Sequence, residues 1–110
     1  GTVDISSSGG DISLEILDSR GKSSGSEKIR VRAGSGEIQL YLPDNINADI
    51  DARIRLSSRY DNDSYDIDSD FPIIISTDSR YKKGSGKINK GGIPIFLETS
   101  NENIYIYKVK

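Results

Sequence analysis

From Ala48 to Leu56 the chain alternates without a break: Ala48, Ile50, Ala52, Ile54 and Leu56 share one parity, and Asp49, Asp51, Arg53 and Arg55 share the other. A period of two is the side-chain period of an extended strand with one face buried and one in water. It leaves no helical apolar stripe, so this stretch folds only as a strand. The pattern recurs. Ile12, Leu14 and Ile16 alternate with Ser13 and Glu15; Ile29, Val31 and Ala33 alternate with Arg30 and Arg32. Ile38, Leu40 and Leu42 form a further inward row, Ile93, Ile95 and Leu97 another, and Ile104 and Ile106 the last.

The apolar residues chosen agree with this. Seventeen are Ile, six Leu and three Ala, a β-branched excess that suits a pleated surface and disfavours helix. Only 34% of the chain is hydrophobic, against about 45–50% in soluble domains by a count that includes Gly, so the core is expected to be thin or one-sided. At 110 residues the chain is expected to form one domain, 1–110.

Polar corners separate the rows. Ser8-Gly9-Gly10-Asp11-Ile12, Gly34-Ser35-Gly36-Glu37-Ile38, Gly84-Ser85-Gly86-Lys87-Ile88 and Ser100-Asn101-Glu102-Asn103-Ile104 each place small or turn-forming residues before one polar residue and an inward Ile. Each is expected to need a positive φ, which Gly and Asn adopt at least cost. Four such corners suggest stacked coils of a solenoid, although the marker isoleucines are too unevenly spaced for a strict repeat. Pro43 and Pro72 fall at strand ends, and Pro94, inside an apolar run, is expected on an edge strand or a terminal coil. Asp18 to Glu27 reads as a polar connector.

Several chemistries are excluded by absence. The chain has no Cys and no His, so zinc fingers, thiol nucleophiles, disulfides and imidazole-dependent triads are ruled out. A net charge of −2 and a pI near 5.1 give no overall field for nucleic acid or anionic lipid. Apolar runs such as Ile73-Ile74-Ile75 are far short of the roughly 18 residues that span a bilayer. The start at Gly1-Thr2-Val3-Asp4, with no Met, reads as a piece of a longer protein.

The motif matches are weak. Gly21-Lys22-Ser23-Ser24-Gly25 spells the G-x-S-x-G of hydrolases but lacks the flanking strand, helix and His that an elbow requires. The acidic stretch Asp61 to Asp70 reads as a solvated loop, and its Asp61, Asp63, Asp66, Asp68 and Asp70 are oxygen ligands at high density. Tyr65 and Asp66, however, stand where a calcium loop wants Asp or Asn and then Gly, so no metal site is expected and none of the chemistry calls for a cofactor. Asn62-Asp63-Ser64 is a formal glycosylation sequon. Tyr41, Phe96, Tyr105 and Tyr107 fall on the outward parity of their strands, where aromatic rings can stack on sugars or on a partner protein. The alternative is that they pack on one another as cross-strand ladders.

Phe71-Pro72-Ile73 and the run from Gly86-Lys87-Ile88-Asn89-Lys90-Gly91-Gly92 through Ile93-Pro94-Ile95-Phe96-Leu97-Glu98-Thr99-Ser100 to Asn101-Glu102-Asn103-Ile104-Tyr105-Ile106 resemble the closing segment of the bacterial putative-adhesin domain family, a family of unknown function. Leu42-Pro43 followed by Asn47-Ala48-Asp49-Ile50 resembles an earlier step of the same pattern, and the matches together cover about two thirds of the chain. Lys90 stands where that family usually has Gly, and Glu102 where Asn-Gly is usual, which shifts the need for positive φ at that turn to Asn101.

The resemblance implies a right-handed β-solenoid, exported or held at the bacterial cell envelope, without catalytic residues. The reading is therefore an all-β chain, a right-handed β-solenoid with a β-sandwich as the alternative, forming the C-terminal part of a longer envelope protein. It acts as a non-enzymatic adhesion or interaction module. Its expected partners are a protein or glycan surface, or itself through the solenoid ends, without nucleic acid and without insertion in a membrane. The other functional readings are a self-assembling scaffold and a carbohydrate-binding or carbohydrate-processing β-helix; the other compartment is the cytoplasm.

Overall fold

The computed structural model describes residues 2–16, 28–56, 65–78 and 80–109. All ordered elements among them are strands: β1 (Thr2–Ser7), β2 (Ile12–Glu15), β3 (Lys28–Ala33), β4 (Ile38–Pro43), β5 (Ala48–Arg55), β6 (Ile67–Ser69), β7 (Ile74–Thr77), β8 (Tyr81–Ile88), β9 (Ile93–Ser100) and β10 (Ile104–Val109). The expected rows at β2, β3, β4 and β5 are strands within a residue of where alternation put them, and β9 and β10 begin where expected and run three residues further. No helix among the described residues is long and apolar enough to cross a membrane.

The strands form two sheets. A six-stranded sheet runs β1-β3-β9-β5-β8-β7 and a four-stranded sheet runs β2-β4-β10-β6. Level by level, β1 with β2, β3 with β4, β9 with β10 and β5 with β6 give one strand to each sheet. Pairing among these eight is parallel throughout. β8 and β7 then extend the larger sheet by two antiparallel strands. The chain order 1-3-9-5 means that its last two strands insert between its second and third levels.

That insertion explains the uneven marker isoleucines. Ile12, Ile38, Ile104 and Ile67 stand in register across the four-stranded sheet. In the larger sheet Ile29, Ile95 and Ile50 form one row, and Val31, Leu97 and Ala52 the next. All of these are buried, and the inward rows of both sheets merge into one core cluster. Among the described residues Thr99 is the one buried polar side chain, packed within that core. Its hydroxyl donates to the Gly36 carbonyl at 2.5 Å, tying β9 to a corner 63 residues away.

Four expectations change. Gly84-Ser85-Gly86 is not a corner but the middle of β8. Its glycines lie under other chain segments: a Cβ on Gly86 would sit 2.6 Å from the Pro72 carbonyl oxygen, and one on Gly84 would crowd Ile67, Ile73 and Ile75. This is Gly serving close approach inside a strand. The corner glycines Gly9, Gly10, Gly34 and Gly36 likewise have no left-handed φ. Gly34 and Gly36 are required because consecutive corners stack, with Gly34 against Ser8 and Gly36 against Gly10.

Positive φ occurs instead at Asn89, Gly91 and Gly92 in the turn between β8 and β9, and at Asn101, where the departure from the family pattern had placed it. Pro94 stands in a central strand rather than at an edge. The Ile93 N–H donates to Asn47 on the β5 side, so alternation turns the Pro94 nitrogen toward β3, one residue before the β3 register begins at Ile95. Finally, the acidic stretch is not all loop, since Asp68 lies within β6.

Candidate functional site

The architecture offers two broad outer faces, and the four aromatic candidates divide between them. β4 and β10 are register partners, which brings Tyr41 beside Tyr107 on the outside of the smaller sheet. Their ring centroids are 4.9 Å apart with planes 24° from parallel, and Tyr105 continues the stack at 6.0 Å and 7°. Tyr105 accepts a hydrogen bond from Asn103 Nδ2 at 3.2 Å. All three rings are half-buried, so the cross-strand ladder is present, with its edges open to water.

This face is acidic. Glu15 and Asp68 share its outward parity, and Glu37 holds Gln39 Nε2 at 2.6 Å beside the tyrosines. Desolvation raises the Tyr107 pKa above the usual phenol value, and the neighbouring Tyr41, Tyr105, Glu37 and Asp68 push it the same way, because each disfavours a phenolate there.

Phe96 is on the other side of the molecule. It projects from β9 on the outer face of the six-stranded sheet and is 37% exposed. In register it stands between Arg30 of β3 and Asp51 of β5. With Arg32, Arg53 and Glu98 these residues line a shallow depression of about 260 Å³. Arg53 pairs with Asp51 on its own strand, Nε to Oδ1 at 3.4 Å. At the next strand pair, Arg55 and Lys83 approach the Tyr81 ring at 5.8 and 5.9 Å from its centroid, and the Arg55 guanidinium donates to the Tyr81 hydroxyl at 3.4 Å.

The acidic candidates split as well. Asp61 and Asp63, like the Gly21–Gly25 motif, the Asn62 sequon and the connector 18–27, lie outside the described residues. Asp66 accepts from the Ile67 N–H at 2.9 Å and lies 3.6 Å from Lys82 Nζ. Asp70 accepts from the Lys108 N–H at 2.9 Å. Asp68 is exposed on β6. Among the described residues no three acidic side chains converge as metal ligands.

The basic face was the feature missed. Alternation alone points Arg30, Arg32, Arg53 and Arg55 outward, but their union depends on β9 lying between β3 and β5. The only local signal is that each arginine precedes or follows an inward aliphatic by one residue.

No known family matches the chain, and no curated protein does. Among solved structures it is similar to one described as a "putative cell adhesion protein" from Clostridium sporogenes, with 16% identity and a TM-score of 0.54. The alignment covers 91% of this chain and 42% of the other. The likeness is one of fold, and the chain spans less than half the length of that neighbour.

Proposed function

We propose that the chain is a non-enzymatic adhesion or interaction module of the bacterial cell envelope, built as a right-handed β-solenoid with a two-strand antiparallel extension. The observation that carries this is the set of outward side chains held in register across neighbouring parallel strands. A flat, laterally ordered surface can meet an extended ligand or another surface without enclosing it, and rigid strands keep its side chains in place before contact. The fold shared with a protein described as a "putative cell adhesion protein" supports the same reading. The β-solenoid form is supported by eight strands that alternate between two sheets, level by level, with parallel pairing.

The test is a binding screen of the intact chain against bacterial envelope proteins and a panel of neutral and acidic glycans. Variants Phe96→Ser, Tyr105→Ser and Tyr107→Ser are run beside the wild type, with thermal melts to separate folding from binding. Saturable binding that weakens in a variant with an unchanged melt supports the reading; a wild type that binds nothing in the panel removes it.

A self-assembling scaffold is the second reading, favoured by β7. Among the described residues this edge strand pairs only with β8; it has no charged residue and exposes Ile74 at 75% and Ile75 at 41%. Such an edge invites pairing with another strand. Size-exclusion chromatography and filament imaging decide it: assembly abolished by Ile75→Lys supports the scaffold, and a monomer at all concentrations excludes it.

A further inference from the structure

The net charge of −2 conceals how the charges are sorted. The outward parity of β3, β5 and β8 places Arg30, Arg32, Arg53, Arg55, Lys83 and Lys87 on one face of the six-stranded sheet. The outward parity of β2, β4, β6 and β10 contains Glu15, Asp68 and three tyrosines, and no Lys or Arg. The larger sheet's outward face also carries Asp4, Asp49, Asp51 and Glu98, so it is mixed but net positive, whereas the smaller sheet's outward face is acidic.

The cations are also ordered. Register across β3, β9, β5 and β8 puts Arg32, Glu98, Arg53 and Lys83 in one row. Strands lie about 4.8 Å apart, so that row runs about 14 Å across the sheet. The row beside it, read from β1, is Asp4, Arg30, Phe96, Asp51 and Ser85. Arg53 has its ion pair with Asp51, whereas Arg30 and Arg32 have no carboxylate partner among the described residues. Their guanidinium groups, planar and donor-rich, suit bidentate capture of a carboxylate from outside.

We propose that this face binds a linear polysaccharide carrying carboxylates, laid across the strands along the row from Arg32 to Lys83. The proposal rests on the adhesion reading and names its ligand class. A duplex nucleic acid carries one charge per roughly 1.7 Å of axis and would bring phosphates against Glu98 and Asp51. A polyuronate spaces its charges by a sugar ring, and the hydroxyls between them donate to those same two carboxylates. The exposed ring of Phe96, flanked by Arg30 and Asp51, offers a flat apolar surface to a sugar face.

The experiment is calorimetric titration of the intact chain with polygalacturonate, with neutral dextran and a DNA duplex in parallel, at low and physiological salt. The substitutions are the pair Arg32→Gln and Arg53→Gln, the single Lys83→Gln, and Glu15→Gln on the opposite face, each checked by circular dichroism. Polygalacturonate should bind saturably and weaken with salt. The paired substitution should weaken it about thirtyfold, from roughly fivefold per cation, Lys83→Gln about fivefold, and Glu15→Gln not at all. The proposal is overturned if polygalacturonate does not bind, if both cation variants bind like the wild type, or if duplex DNA binds as tightly. Failure here with a ligand found elsewhere in the wider screen leaves the adhesion reading standing, whereas an empty screen removes both.

Discussion

Gly36→Ala tests whether stacked corners hold the levels together. A Cβ on Gly36 would lie 2.1 Å from the Gly10 carbonyl oxygen and 2.5 Å from its carbonyl carbon. Both are backbone atoms, so no rotamer change relieves the overlap. Carbon and oxygen ordinarily approach to about 3.3 Å, which requires the two corners to separate by about 1 Å. That movement acts on three hydrogen bonds: Gly34 N–H to Ser7 at 2.7 Å, Glu37 N–H to Asp11 Oδ1 at 2.9 Å, and the Thr99 hydroxyl to Gly36 itself. Losing two of them at about 1 kcal/mol each, with an overpacking cost of about 1–3 kcal/mol, gives a destabilisation of about 3–5 kcal/mol.

Gly9 is the internal control, because its added Cβ would meet only Ser35 Oγ at 3.8 Å and its φ is not left-handed. Gly9→Ala should be neutral or stabilising by about 0.4–1 kcal/mol, through the unfolded chain's lost freedom. Equilibrium urea unfolding of both variants is the assay. If Gly36→Ala stays within about 1 kcal/mol of wild type, or the two glycines respond alike, the stacked-corner account is wrong.

Ile95, fully buried between Ile29 and Ile50, should cost about 2–5 kcal/mol on substitution with Ala by the same unfolding assay, and a loss below about 1 kcal/mol would remove it from the core. Thr99→Val keeps the shape but leaves the buried Gly36 carbonyl without its donor, so a loss of about 1–3 kcal/mol is expected, and an unchanged midpoint would show that the bond contributes nothing. Tyr107 should ionise above the usual phenol range in an absorbance titration, and Tyr107→Phe should remove that late step. Because the folded state holds this proton more tightly than the unfolded one, its contribution is fully present below a pH of about 10. It is lost as pH rises through the folded pKa, and a rise in stability over that interval would contradict the assignment.

Local periodicity made the strands legible because a strand's burial pattern is written residue by residue. β3 matches its expected range, and the buried parity of β5 agrees at every position from Ala48 to Leu56. Elements without that pattern escaped notice. β7 has no buried side chain, and β6 is three residues long within an acidic stretch. β8 carries glycines on its inward parity, so its buried face looks like a turn until the segment from Pro72 to Ile75 is seen packed over it. The corner glycines illustrate the same limit. Their identity was visible, but its reason was contact with the next corner rather than a left-handed φ, and such contact has no local signature.

The candidate site met that limit more severely. Tyr41, Tyr105 and Tyr107 share a face because β4 and β10 pair, whereas Phe96, on the same formal parity, belongs to the opposite sheet. Parity tells inside from outside within one strand but does not say which of two outsides a residue occupies. The same step hid the cationic row. Arg32 and Arg53 become parts of one surface only because a strand from the end of the chain lies between theirs, contributing Glu98 to the gap. An overall charge near zero weakens long-range attraction to any polyanion, yet a net-positive face backed by an acidic one still orients an approaching chain within a Debye length, about 8 Å at physiological salt. Recognition on such a surface depends on how neighbouring strands place their charges, which makes strand order, more than composition, the determinant of what this protein can hold.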